Sequence, residues 1–118
     1  MTFAEFLAWQ WGDYPAKHRS RLNLAIHIVA VPLFMLGCLA VAIGILRLAP
    51  FRIVSGLVAM IVSVGLEGIG HRFEPEQPAP FAGFGDFVKR FFFEQWVTFP
   101  RFVLSGRYFR NLGGPSSS

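Results

Sequence analysis

Between Leu24 and Leu46 the chain runs for 23 residues with a single ionisable member, His27, and about 20 apolar residues suffice for a helix to cross a bilayer. Lipid offers a backbone no hydrogen bonds, so such a run folds as a membrane helix. Arg47, Pro50 and Arg52 then mark a tight turn, and Ile53 to Gly70 forms a second, slightly shorter span interrupted only by Ser55, Ser63 and Glu67. A connection this short makes the two helices antiparallel neighbours. The expected fold is an all-α membrane protein in one domain: a two-helix transmembrane hairpin (22–46 and 51–71) with N- and C-terminal interfacial amphipathic helices.

Composition agrees, because 53% of the 118 residues are hydrophobic and only 15% are charged, against about 25% charged in a soluble domain. The net charge of +4 comes from basic residues outside the apolar runs and suits anionic lipid headgroups. Nucleic acid is excluded as a partner, since no basic stripe interleaved with exposed aromatics remains once the spans are set aside. Cys38 lies alone inside an apolar run and has no partner for a disulfide or a metal. Ser55, Ala59 and Ser63 repeat at i, i+4 spacing on the second span, a small-residue face expected to meet the first helix or a second copy in a homo-oligomer.

Glu5 and Asp13 precede the first apolar run, unlike a cleaved signal. Thr2 to Trp11 reads as a short amphipathic helix capped by Thr2 and Glu5. Trp9, Trp11 and Tyr14 are expected to anchor it at headgroup level, and Gly12 to Pro15 to end it. After His71, three prolines up to Pro80 forbid a continuous helix. Gly83 to Phe99 reads as an interfacial helix with phenylalanines on one side and Asp86, Lys89, Arg90 and Glu94 on the other. Phe93 breaks that pattern. Pro100 is expected to kink or end the helix within a segment reaching residue 110, and 113–118 to be a disordered tail. Nine cations flank the termini, against Arg47 and Arg52 in the turn, which puts both termini in the cytoplasm. The host membrane would be a bacterial inner membrane or, in a eukaryote, the endoplasmic reticulum.

Ionisable groups within or beside a span are functional candidates. His27 lies roughly 9 Å below Arg21 on the first helix, and Glu67 and His71 return to the same depth on the second. Asn23 and His27 share one helix face, as do Glu67 and His71, while His18 precedes the helix and folds back over the site. Taken singly, an intramembrane histidine is better explained by a hydrogen bond between helices, and His18 by a headgroup contact. Their convergence with Glu67 and Glu74 points instead to a site for Fe(II) or Zn(II), with Asn23, Glu67 or Glu74 as ligand or orienting group. Two other classes stay open: a haem carrier held by His27 and His71, and a purely structural hairpin.

The run from His18 through Asn23 to His27, followed by Val31-Pro32, resembles the H-x4-N-x3-H element of the Mpo-type 2-hydroxy fatty acid dioxygenase family. Gly70-His71-Arg72-Phe73-Glu74, followed by Pro78-Ala79, resembles that family's G-H-x-F-E-x3-P-A element. The resemblance spans about 18–81. It implies a helical membrane enzyme in which His18, His27 and His71 bind Fe(II), with Asn23 and Glu74 as supporting positions; the residues themselves add Glu67 to Asn23 and Glu74 as a candidate catalytic group. The implied substrates are O2 and a long-chain 2-hydroxy fatty acid, shortened by one carbon; the fungal member serves sphingoid-base breakdown at the endoplasmic reticulum. This chain has Glu67 where relatives have Gln, and Pro75-Glu76-Gln77 where they have basic residues that could pair with a fatty-acid carboxylate. A 2-hydroxy acid chelates a metal through hydroxyl and carboxylate, with its tail in lipid or among the phenylalanines of 83–99.

Overall fold

The computed structural model describes residues 1–114, and among them there are helices and no strand. The helices are α1 (Phe3–Lys17), α2 (Arg21–Leu46), α3 (Pro50–His71), α4 (Phe84–Phe93), a π-helical segment (Glu94–Thr98), α5 (Phe99–Leu104) and α6 (Arg107–Gly113). Of the expected 113–118 tail, residues 115–118 lie outside the described residues, whereas Gly113 closes α6.

α2 and α3 are long and apolar enough to cross a membrane, and only 28% and 22% of their apolar windows are buried. The core helix of a soluble protein would be mostly covered. Here Leu36, Leu39, Ile45, Val54, Val58 and Ile61 stand exposed, an apolar surface far too continuous for water and suited to lipid. The chain is a membrane protein.

The two long helices pack antiparallel, with Gly37 opposite Gly56 and Asn23 opposite Gly70. A Cβ on Gly37 would stand 2.7 Å from the Gly56 carbonyl oxygen, and one on Gly56 would stand 2.6 Å from that of Gly37. Only glycine permits backbones this close. The buried seam of α3 is therefore Gly56, Ser63, Glu67 and Gly70, with Ala59 beside Gly37. Ser55 is not on it. Its side chain is exposed and donates to the Phe51 carbonyl at 2.5 Å, so the expected small-residue face is rotated by one residue at this end.

The terminal helices depart from expectation in three ways. Thr2 and Glu5 form the capping box, yet α1 passes through Gly12 and Pro15 to Lys17. Pro15 near the helix end forfeits one backbone bond, while Phe6, Gln10 and Tyr14 make an inward stripe at i, i+4 spacing and Asp13 pairs with Lys17 at 3.0 Å. Pro100 does not end the C-terminal helix either. It falls in the first turn of α5, where a missing N–H is tolerated, and the break comes instead at Gly106, whose φ of 84° favours glycine. Finally, Tyr14 is no headgroup anchor: it is buried with Leu24, Val31, Phe99, Phe102 and Tyr108 in a core that α1, α5 and α6 build against α2. Trp11 does lie nearer the surface, with the guanidinium of Arg101 4.0 Å above its ring.

Candidate metal centre

Three backbone devices bring the histidines together. His18 caps the C-terminus of α1, and the Asn111 side-chain amide holds the turn by donating to the carbonyls of Pro15 and His18 at 3.1 and 2.9 Å. His27 lies within α2, whose first turn is fastened by Ser20 Oγ on Asn23 N–H. His71 is the last residue of α3. The ring centroids of His18, His27 and His71 are 4.8 to 5.2 Å apart, and each pair of rings stands 81 to 85° apart. Imidazoles crossed in this way are not stacked on one another. They surround a common point.

His18 Nδ1 lies 2.9 Å from the Tyr14 carbonyl oxygen and His27 Nδ1 lies 3.0 Å from that of Asn23. A carbonyl only accepts, so both rings carry a hydrogen on Nδ1, and Nε2 is the nitrogen each turns toward the centre. Those two Nε2 atoms and His71 Nδ1 are buried without a hydrogen-bond partner among the described residues. Orphaned buried nitrogens of this kind need an explanation.

Glu94 supplies it. Its Oε2 lies 3.4 Å from His18 Nε2 and 3.3 Å from His27 Nε2. Donor atoms of His18, His27, His71 and Glu94 all fall within 4.8 Å of one another. Donors sharing one ion at about 2.1 Å stand about 3.0 to 3.4 Å apart; the two distances from Glu94 to the histidines meet that, and the group of four could hold a divalent metal. Oriented Nδ1–H groups on carbonyls are the usual support of metal-binding imidazoles.

Around these four, the predicted residues separate by role. Glu67 is buried beside His27, with Oε1 3.2 Å from Nε2; Oε1 also accepts from Gln95 Nε2 at 2.9 Å, and Oε2 is unpaired. Glu74 lies outside the metal group. Its carboxylate accepts from the N–H groups of Arg19 and Ser20 and from Asn23 Nδ2 at 2.6 Å, satisfying orphan donors at the start of α2. Asn23 thus ties Glu74 to His27 through its side-chain amide and its carbonyl. A side chain on Gly70 would strike the Asn23 amide, so the glycine before His71 makes that approach possible.

Sequence reading missed Glu94, Tyr14 and Gln95. Glu94 and Gln95 open the π-helical segment, whose wider turn carries both into the interior, a common use of π-turns. Gln10 clamps that segment from α1, donating to the Arg90 carbonyl at 2.8 Å and accepting from Thr98 Oγ1. Tyr14 stacks on His18 with centroids 3.6 Å apart and donates to Glu94 Oε2 at 2.7 Å. Burial, and then the neighbouring Glu94 carboxylate, push the Tyr14 phenol well above its ordinary range, so it remains a donor at any physiological pH. The signal available in the sequence was Phe93, which spoils the two-sided pattern just where the helix turns inward; its ring packs edge-on against Phe3 and Phe6.

A cavity of about 330 Å³ opens beside the centre, with His18, Glu67, His71 and Glu94 in its wall and Lys17 and Arg90 among its other polar lining. The family model described as 2-hydroxy-palmitic acid dioxygenase Mpo1-like matches residues 2–101. No curated protein and no solved structure matches the chain. Since the family match takes in both histidine-bearing elements, Glu94 and most of the 118 residues, the chain belongs to the Mpo1-like family.

Proposed function

We propose that this protein is an Fe(II)-dependent membrane dioxygenase that shortens long-chain 2-hydroxy fatty acids by one carbon. The observation that carries the reading is the convergence of His18, His27, His71 and Glu94 within 4.8 Å of one another beside a largely apolar cavity, in a chain whose family description names 2-hydroxy-palmitic acid. His18, His27, His71 and Glu94 would hold the ion, which supplies the redox partner that O2 needs to react with a closed-shell acid. The reaction balances without an outside reductant: the 2-hydroxy acid and O2 give the acid one carbon shorter, CO2 and water. Lys17, which also pairs with Asp13, and Arg90, which also pairs with Asp86, line the cavity and offer positive charge to the substrate carboxylate. They stand in for the basic residues missing at 75–77. Glu67 Oε2, buried and unpaired, takes up the proton of the substrate hydroxyl. A haem between His27 and His71 is disfavoured, because His18 and Glu94 crowd the space its plane would need.

α2 and α3 form a transmembrane hairpin in this reading, with the centre close under the cytoplasmic headgroups and both termini in the cytoplasm. Reporter fusions at the two ends should both read cytoplasmic, and opposite locations would refute the hairpin. The enzyme reading is tested on the full chain purified in detergent. It should carry iron without a Soret band, consume O2 with 2-hydroxypalmitate and release the fifteen-carbon acid. A Soret band, absence of any bound metal, or an untouched 2-hydroxy acid in iron-loaded protein would each overturn it.

A further inference from the structure

The cavity beside the metal centre does not end at the polar groups. Val64, Phe87 and Phe91 are shared between it and a second, wholly apolar groove of about 270 Å³ that runs between α3 and α4 over Phe34 of α2. We propose that this groove binds the alkyl chain of the 2-hydroxy acid and gauges its length; the proposal rests on the function argued above.

Distances along α3 support this occupant over an unspecified lipid. Val64, Met60 and Leu57 precede His71 by 7, 11 and 14 residues, and all three line the groove. At 1.5 Å per residue they lie about 10, 16 and 21 Å from His71 along the helix axis. An extended alkyl chain advances about 1.25 Å per carbon, from C–C bonds of about 1.5 Å at tetrahedral angles. A head group at the histidines therefore places about the eighth carbon at Val64, about the thirteenth at Met60 and about the seventeenth at Leu57. The groove accommodates a chain of the palmitic class. Its floor is aromatic: Phe34 and Phe91 meet edge-on at 5.1 Å and Phe87 stacks on Phe91 at 5.8 Å. Its rim is open, with Leu57, Ile61, Val88 and Phe92 exposed, so a chain can enter sideways from the bilayer rather than thread through a pore. Among the described residues none that lines it is polar, hence nothing there holds a phosphate or another charged head group.

The test compares turnover on 2-hydroxy acids of graded length, using the full chain loaded with Fe(II). Met60→Trp should move the preferred length down by about four carbons, one 5.4 Å helical turn, and Leu57→Trp should trim only the longest acids; iron content should stay at the wild-type level, and the ratio of short-acid to long-acid turnover should rise. Met60 also packs near Gly37, so Leu57→Trp, at a half-exposed position, keeps the test decisive if the first variant fails to fold. An unchanged length profile, or an equal loss at all lengths, would overturn the groove. A second arm needs no turnover: 2-hydroxypalmitate with a diazirine at its methyl end is photolysed with wild-type protein in phosphatidylcholine nanodiscs. Labelling confined to Leu57, Met60, Ile61 and Phe34 supports the groove, and labelling spread over lipid-facing Leu36 and Leu39 overturns it. Groove labelling without turnover would sink the enzyme reading while leaving the acyl site standing.

Discussion

His27→Ala should strip the protein of its iron and abolish turnover of 2-hydroxy acids. His27 is fully buried and is the hub of the centre, with Nε2 facing both Glu67 and Glu94. Alanine removes a donor that water cannot easily replace at this depth, and it leaves two carboxylates facing one another without the group between them. The loss should exceed the about 10- to 100-fold in metal affinity or rate that accompanies changes to groups orienting a ligand. That lesser range is the expectation for Asn23→Ala and Glu74→Gln, because both act through the start of α2 rather than on the ion. Metal analysis of the folded variants, with a thermal melt to confirm folding, checks the order of effects. If His27→Ala kept its iron and its activity while Asn23→Ala lost both, the centre would have to lie elsewhere.

The parts of the fold that were legible in the sequence are those in which lipid is the solvent. A bilayer demands long uninterrupted apolar helices, and Leu24 to Leu46 and Ile53 to Gly70 declare themselves by length alone. The helix seam was harder, because in lipid the inward face of a span is no more apolar than the outward one. Gly37 and Gly56 form the close approach, but a glycine reads alike whether it meets a backbone or an acyl chain; of the Ser55-Ala59-Ser63 face, Ala59 and Ser63 do meet α2 and only Ser55 lies outside the seam. The terminal helices misled for a related reason. Aromatic residues near an interface suit a headgroup anchor and a small core equally well, and only tertiary contacts assign Tyr14 to the second.

The candidate site was half legible by the same logic. An imidazole or carboxylate is costly in a span, so His27, Glu67 and His71 stood out, and the antiparallel turn brought them to one depth. His18 joined them through the spacing of its element. Glu94 carried no such mark, because beside Asp86, Lys89 and Arg90 it passed for one more charge on a solvated face. The π-helical turn that reverses its direction depends on Gln10, Thr98 and the Phe93 contacts with α1, which join residues 80 to 90 positions apart and are invisible to any local pattern.

Glu94→Gln should therefore be the most informative substitution outside the histidines. The carboxylate reaches His18 and His27 at 3.4 and 3.3 Å and accepts from Tyr14 at 2.7 Å, so it is the one anionic donor of the proposed set of four. Glutamine keeps the size and most of the packing but removes the charge, and its carbonyl is a far weaker partner for a divalent ion. Iron affinity should fall by more than about 100-fold, whereas Tyr14→Phe, which removes only the bond that orients the carboxylate, should stay within about 10- to 100-fold. Zinc or iron titration of the stripped protein measures both without relying on turnover. A different outcome follows if Glu94 merely pairs with the histidines: Glu94→Gln would then bind metal as the wild type does and show its effect in the melting temperature alone. Equal metal affinity in Glu94→Gln and wild type would remove Glu94 from the ligand set and leave a centre of three imidazoles.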